Sequence, residues 1–434
     1  MKTFLLFWTM FLVGSFNLSI EASDYRQADY SCSQDKTQAT VAASTTLSPS
    51  EAAELNKLRT EGFDALYSID YATAQAKFEA MTKVAPGDPA GYFYIATNQW
   101  MSILNSMRRL QIGLYNSDSF YADTQDKVNP QLDKEFRAEV QKAMEVAQAK
   151  IDKNPNDAEA IYYLGASYGT LAGYEASVAR KFISALHNGS KGVDLHRKVI
   201  KMDPSYADAY LSIGLYDYIV GTLPLPVKVL AAMGGVHGSR KRGLNELQTA
   251  VAKGKYASDD ARTMLVALYE REGDYQKALE LLDDLSARFP QNYLYSLERA
   301  VAMGRTGNRE QSYAAFDELL KNPRAKVVAD LIHYQYGESL FNGGDFTKAA
   351  EQYDLVTKTP KANAALVSMA YLHAGEAFDA AGQRKAALAQ YQLVIKRENV
   401  YDSHDLAEKY TKKPYQSVKD AAQPKEIENS KFEE

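Results

Sequence analysis

The stretch from Asp259 to Pro290, DDARTMLVALYEREGDYQKALELLDDLSARFP, constrains the possible fold more than any other part of this chain. Leu265 and Tyr269 are one helical turn apart and share a face. Gly273-Asp274-Tyr275 interrupts that helix with a turn, and Ala278, Leu282 and Leu285 lay an apolar stripe on a second helix that closes near Pro290. Such a hairpin, about 34 residues with its linker, cannot bury its apolar faces alone and needs neighbours of its own kind.

Variations on the unit run through the chain. Near the N-terminus Asp70-Tyr71 echoes Asp274-Tyr275, and Ala74, Phe78 and Met81 repeat the second-helix stripe. A second repeat carries Tyr92, Ile95, Trp100 and Ile103, then Ala143 and Ala147; an insertion over residues 113–134 separates its helices, with Asn116, Ser117, Asp118 and Pro130 as turn formers. The third opens on Ala158-Glu159-Ala160-Ile161-Tyr162-Tyr163-Leu164-Gly165, where Gly165 admits a close helix approach, and extra helical turns are expected around Tyr174 to His187. The fourth, from Ala207, is lengthened by the apolar segment Tyr218 to Val236. Pro224, Pro226 and Lys228 argue against a spanning helix there and favour a packed lid, with an exposed docking patch as the alternative. Gly307 and Phe316, Gly337 and Tyr353, and Gly375 and Tyr391 mark the sixth to eighth repeats, which run without insertion.

These residues resemble the tetratricopeptide repeat (TPR) consensus. The resemblance covers roughly residues 52–397 and implies an all-α solenoid of about eight helix hairpins, with insertions in repeats two to four. The implied organisation is a signal peptide at 1–22, a disordered arm at 23–50, insertion-bearing repeats at 51–256, regular repeats at 257–397, a capping helix within 398–416 and a disordered tail at 417–434. Residues 192–250, with Gly221, Leu223-Pro224, Gly234-Gly235 and Gly243-Leu244, are also faintly similar to the inclusion-body-clearance family of TPR-like proteins. No site residue is carried over from that second likeness.

At the N-terminus Lys2, the apolar run Phe4 to Phe16 and the small Ala22 have the form of a secretory signal, so an exported (periplasmic or secreted) chain is expected; the alternative is an uncleaved membrane anchor. A net charge of -5 argues against nucleic acid as a partner. The single cysteine, Cys32, rules out an internal disulfide framework.

Chemistry is sparse. None of the six histidines has metal-ligand spacing, although His333 and His373 take comparable places in adjacent repeats. No Gly-x-Ser-x-Gly elbow is present and no carboxylate pair is set for acid–base work, so no enzyme, cofactor or metal is expected. One loop, Gly234, Gly235, Val236, His237, Gly238, Ser239 and Arg240, places glycines and basic residues before a helix and offers a candidate anion site; the plainer reading is a turn capped by Ser239.

The TPR resemblance further implies a ligand groove lined by non-consensus residues of the first helices: Tyr162, Asp208, Tyr218, Glu270, Tyr334, Glu338, Phe341, Glu376 and Asp379. The Lys and Asn residues of the chaperone-tail carboxylate clamp are missing there. Tyrosine and acidic side chains instead suit an extended protein or peptide segment with apolar or basic residues. Two rivals stand beside this scaffold reading: a small-molecule pocket, with or without enzymatic activity, built by the insertions, and peripheral membrane contact through Tyr218 to Val236.

Overall fold

A computed structural model describes residues 47–111, 114, 128–223, 228–229, 232 and 237–416. The described residues form seventeen α-helices, two short 3-10 turns and no strand. The expected signal sequence and tail, the expected arm up to residue 46, most of the first insertion and the glycines Gly234 and Gly235 lie outside the described residues; the last two residues of the expected arm, Pro49 and Ser50, belong to a helix.

The helices are α1 Pro49–Tyr67, α2 Tyr71–Val84, α3 Pro89–Ser106, α4 Pro130–Lys153, α5 Ala158–Ser177, α6 Phe182–Met202, α7 Tyr210–Gly221, α8 Arg240–Lys253 and α9 Ser258–Arg271. They continue with α10 Tyr275–Arg288, α11 Tyr293–Arg305, α12 Arg309–Lys321, α13 Ala329–Gly343, α14 Phe346–Lys358, α15 Ala364–Ala380, α16 Arg384–Ile395 and α17 Ser403–Lys412. In sequence order they fall into eight consecutive pairs followed by the single helix α17.

Local chemistry sets where the helices begin. Ser48 and Glu51 form a reciprocal capping box, with the Ser48 amide donating to Glu51 Oε2 at 2.7 Å and Pro49 at the first helical position. Asp70 and Asp157 cap α2 and α5 through their carboxylates. Pro130, expected in a turn, starts α4 with Asn129 as cap, so the last five residues of the expected insertion belong to a helix. Proline is favoured at that place because its missing N–H would be unsatisfied there anyway. Between the two helices of repeats five to eight the backbone turns through Gly273, Gly307, Gly344 and Gly382, with φ of 77°, 92°, 91° and 73°. In the first repeat Ile69 takes this left-handed position (φ 60°), where a side chain costs about 1–2 kcal/mol.

The chain divides into two compact units, one containing residues up to Ser106, Thr124–Glu272 and Ala287–Asn292, the other Met107–Asp123, Gly273–Ser286 and Tyr293 onward. In the first, Leu66, Phe78, Met81, Tyr94, Ile161, Tyr163 and Val199 form one apolar core. Gly165 and Gly192 face each other across α5 and α6: a Cβ on Gly192 would sit 2.7 Å from the Gly165 carbonyl oxygen, so the close approach needs both glycines. Helix α1 also meets residues about 200 positions along the chain. Tyr67 donates to Asp260 Oδ1 at 2.8 Å, Asn292 Nδ2 donates to the Tyr67 carbonyl at 2.7 Å, and Arg59 lies over the Tyr256 ring at 4.4 Å.

The second unit ends on α17, whose Ala407, with Leu406 and Tyr410, covers Leu372, Tyr391 and Val394. Here the close approach is a glycine under a ring: a Cβ on Gly375 would fall 2.4 Å from Tyr391 Cε1. Tyr391 is fully buried and its hydroxyl is held by Asp379 at 2.9 Å, so the ring cannot swing aside. Gly375→Ala is therefore expected to lose stability, overpacking of about 1–3 kcal/mol outweighing the roughly 1 kcal/mol gain in helix propensity. An unchanged or raised denaturation midpoint would contradict this packing.

Candidate functional site

In the second unit, the first helices of repeats seven and eight, α13 and α15, bring several acidic and aromatic residues together. Tyr334, Glu338 and Phe341 follow one face of α13; His373, Glu376 and Asp379 follow one face of α15. His373 Nδ1 lies 2.8 Å from Glu376 Oε2 and 4.0 Å from Glu338 Oε1. From α14, the Tyr353 hydroxyl donates to Glu338 Oε1 at 2.5 Å. The Tyr334 ring packs against both Tyr353 and His373, with centroids 5.9 and 5.8 Å away. Burial raises the Tyr334 and Tyr353 phenols well above 10, so both stay neutral and Tyr353 remains a donor.

His373 is subject to opposing effects. Burial alone would lower its pKa, but the Glu338 and Glu376 carboxylates outweigh burial and raise it from 6.5 to about 9. One imidazolium thus stands between two carboxylates, leaving the cluster with a net negative charge near neutral pH. With the folded pKa above the unfolded one, its stabilisation is fully present below about pH 6.5 and is lost as pH rises through about 9. Denaturant midpoints measured from pH 6 to 9.5 should fall for the wild type relative to His373→Gln; parallel curves would contradict the pairing.

Phe341 packs edge-on against Phe346 and Tyr415, at 5.3 and 5.8 Å. Asp379 is almost fully enclosed. It accepts from Arg384 Nη1 at 2.8 Å, the Tyr391 hydroxyl at 2.9 Å and the Tyr415 amide at 2.9 Å, and so fastens the segment after α17.

A second segment docks in the same unit. Residues 107–111, from the stretch that follows α3, set Arg108 Nε 2.9 Å from Asp330 Oδ1, and Arg108 Nη2 donates to the Val327 carbonyl. Arg109 Nη2 donates to the Tyr401 hydroxyl at 3.3 Å, and Gln335 Nε2 donates to Gln111 Oε1 at 2.6 Å. Asp330, 2% exposed at its side chain, also accepts from the amides of Leu331 at 3.0 Å and Asn363 at 2.8 Å.

Among known families one matches the stretch that holds α9 and α10. The family described as Tetratricopeptide repeat matches residues 260–292. The chain carries a tetratricopeptide repeat. No curated protein matches it significantly. Among solved structures it is similar to a thermophilic TPR protein of Thermus thermophilus, at 18% identity over 58% of this chain and 98% of that one, TM-score 0.33. It is also similar to yeast Tom70, at 12% identity over 82% and 88%, TM-score 0.38. A third is the human IFIT1 dimer with m7Gppp-AAAA, at 13% identity over 83% and 87%, TM-score 0.43. These likenesses are too distant to carry any functional argument.

The expected groove positions separate. Tyr334, Glu338, Phe341, Glu376 and Asp379 come together in the second unit as described, with Glu376 and the Asp379 carboxylate buried. In the first unit, by contrast, expected groove residues serve packing. Tyr162 is buried, stacked on His196 with ring centroids 4.9 Å apart. Burial lowers the His196 pKa to about 4, which keeps that imidazole neutral. Asp208 accepts from the amides of Tyr256 and Ala257, both at 2.9 Å, and so fastens one repeat to the next; Asp330 holds the Asn363 amide in the same way. Tyr218 is fully buried and its hydroxyl donates to Glu272. Glu270 is buried on α9, as Glu376 is on α15.

Of the expected anion loop, Gly234 and Gly235 lie outside the described residues. Gly238 packs closely on Val220, Ser239 caps α8 by accepting from the Arg242 amide at 3.3 Å, Arg240 pairs with Glu272, and Arg242 pairs with Asp217. The two guanidiniums thus already hold carboxylates. His333 pairs with Gln352 at 2.8 Å and His373 with Glu376, so the two histidines of neighbouring repeats have different partners. Among the described residues no cluster of His, Cys, Asp and Glu could hold a metal, and no helix is long and apolar enough to cross a membrane. Two shallow clefts stand out among them. One, of about 240 Å³ and including Glu351, Asp354, Tyr371 and Phe378, lies along α14 and α15; the other lies along α16 and α17.

The residues missed by sequence reasoning are Asp330, Gln335, Tyr401 and the Arg108-Arg109 pair. A signal was present in part: Asp330 opens its repeat as Asp208 does, one residue before the apolar run.

Proposed function

We propose that this TPR protein is an exported, non-catalytic scaffold that holds an extended partner segment, rich in basic and apolar side chains, on the face of its second unit that carries Tyr334, Glu338 and Glu376. One observation carries the reading: this unit already seats a short basic segment that turns at Arg108, residues 107–111, through a buried carboxylate and polar groups of the repeats. Aromatic faces beside carboxylates give apolar contact and charge complementarity together, the combination that recognises such a segment. Export rests on Lys2 and the apolar run Phe4 to Phe16, and the net charge of -5 speaks against a nucleic-acid partner.

The test is fluorescence anisotropy with the mature chain and two extended peptides, one basic and apolar, the other acidic. The basic peptide should bind, more weakly as salt rises, and Glu338→Gln/Glu376→Gln should weaken it at least about tenfold. Preference for the acidic peptide, or indifference to the double substitution in a folded variant, would overturn the reading. Export is checked separately: the protein isolated from its host should begin near residue 23, whereas an intact Met1 on soluble cytosolic material would refute it.

A further inference from the structure

We infer that residues 107–111 are an internal ligand of the TPR array, and that the external partner presents the same chemistry, two adjacent arginines followed by an apolar residue, and competes for the same seat. The inference rests on the proposed function and names both the pattern recognised and the way access to it is limited.

Three observations carry it. First, the contacts are those of recognition by side chains. Arg108 meets the buried Asp330 carboxylate and the Val327 carbonyl, Arg109 meets the Tyr401 hydroxyl, and Gln111 meets Gln335, so each of three polar residues in a run of four has a partner on the repeats. An arginine on a buried carboxylate is a strong charge-assisted contact, and its removal leaves that carboxylate without its cation. Second, the geometry is held against local preference. Arg108 has φ of 58° and its neighbour in the seat, Tyr401, has φ of 49°, left-handed conformations that side chains disfavour and that surrounding contacts must enforce. Gln111 Nε2 closes the turn by donating to the Arg108 carbonyl at 3.0 Å. Third, the seat adjoins the acidic face. Asp330, Tyr334 and Glu338 stand one helical turn apart along one face of α13. A partner segment held at Tyr334 and Glu338 therefore runs on to Asp330, where it must displace residues 107–111.

A tethered segment competes at an effective concentration on the order of 1 mM. For a seat with an intrinsic Kd of about 0.1 mM, that occupancy weakens an external copy of the segment by about tenfold. The experiment is a titration, read by anisotropy, of a labelled peptide of residues 104–111 with the full chain from residue 23. Wild type is compared with Arg108→Ala/Arg109→Ala, circular dichroism verifying that the variant is folded. The variant should bind the peptide about tenfold more tightly than wild type, and a peptide with alanine at both arginines should not bind it. Equal binding by both proteins would overturn the inference alone, because the face would still take basic segments. No binding by the folded variant would overturn the inference and the proposed function together. Should the variant not fold, hydrogen exchange on the wild type decides: excess peptide should raise exchange at 107–111, and unchanged protection would overturn the inference.

Discussion

Phe78→Ala is expected to lower the stability of the protein by about 3–5 kcal/mol. The Phe78 ring is fully enclosed at the centre of the first unit's core, with Phe63 5.9 Å and Tyr94 5.3 Å away between ring centroids. It also lies on Gly62, where a Cβ would come within 2.3 Å of its Cε1 atom. Truncation to a methyl group removes contacts in three helices at once, because Phe63 is on α1, Phe78 on α2 and Tyr94 on α3. The surrounding backbone cannot collapse into the space, since the helices are already held by their own hydrogen bonds and by neighbouring repeats. Urea denaturation followed by helicity gives the measurement. A loss below about 1.5 kcal/mol would mean that the site closes over the cavity and that the packing is looser than described.

The second large effect is electrostatic. Asp330→Ala should cost about 3–5 kcal/mol, the usual loss when one member of a buried pair is removed. The Arg108 side chain, 14% exposed, would lose its carboxylate, and the amides of Leu331 and Asn363 would lose their acceptor. Asp330→Asn keeps an acceptor oxygen and should cost less. Arg108→Met removes the buried cation, so Asp330→Ala added to it should be milder than Asp330→Ala in the wild type. Strict additivity of the two substitutions would show that Arg108 and Asp330 do not act as a pair.

These two predictions rest on features with very different visibility in the sequence. Phe78 belongs to the stripe Ala74, Phe78 and Met81, and its partner glycine recurs as Gly337 with Tyr353 and Gly375 with Tyr391. A repeat packs mainly on itself and its neighbours, so its core is written in spacings of three and four residues. The Arg108–Asp330 pair links positions 222 residues apart, and no local pattern encodes it. Asp208 shows the same limit from the other side: a polar residue on a first helix suits a groove, yet its carboxylate is spent on the next repeat's amides.

The stretch Asp259–Pro290 and its echoes determined, without coordinates, that the chain builds helix hairpins in series, where they turn, and which faces are apolar, because helical period and turn chemistry act over a few residues. The tertiary structure alone decided which expected groove residues are packing, that His373 stands between Glu338 and Glu376, and that residues 107–111 occupy a seat on the second unit. Those outcomes depend on which distant side chains meet, and on whether a carboxylate's partners are amides, phenols or guanidiniums. Such meetings are set by the accumulated geometry of many repeats, which no single spacing in the sequence contains.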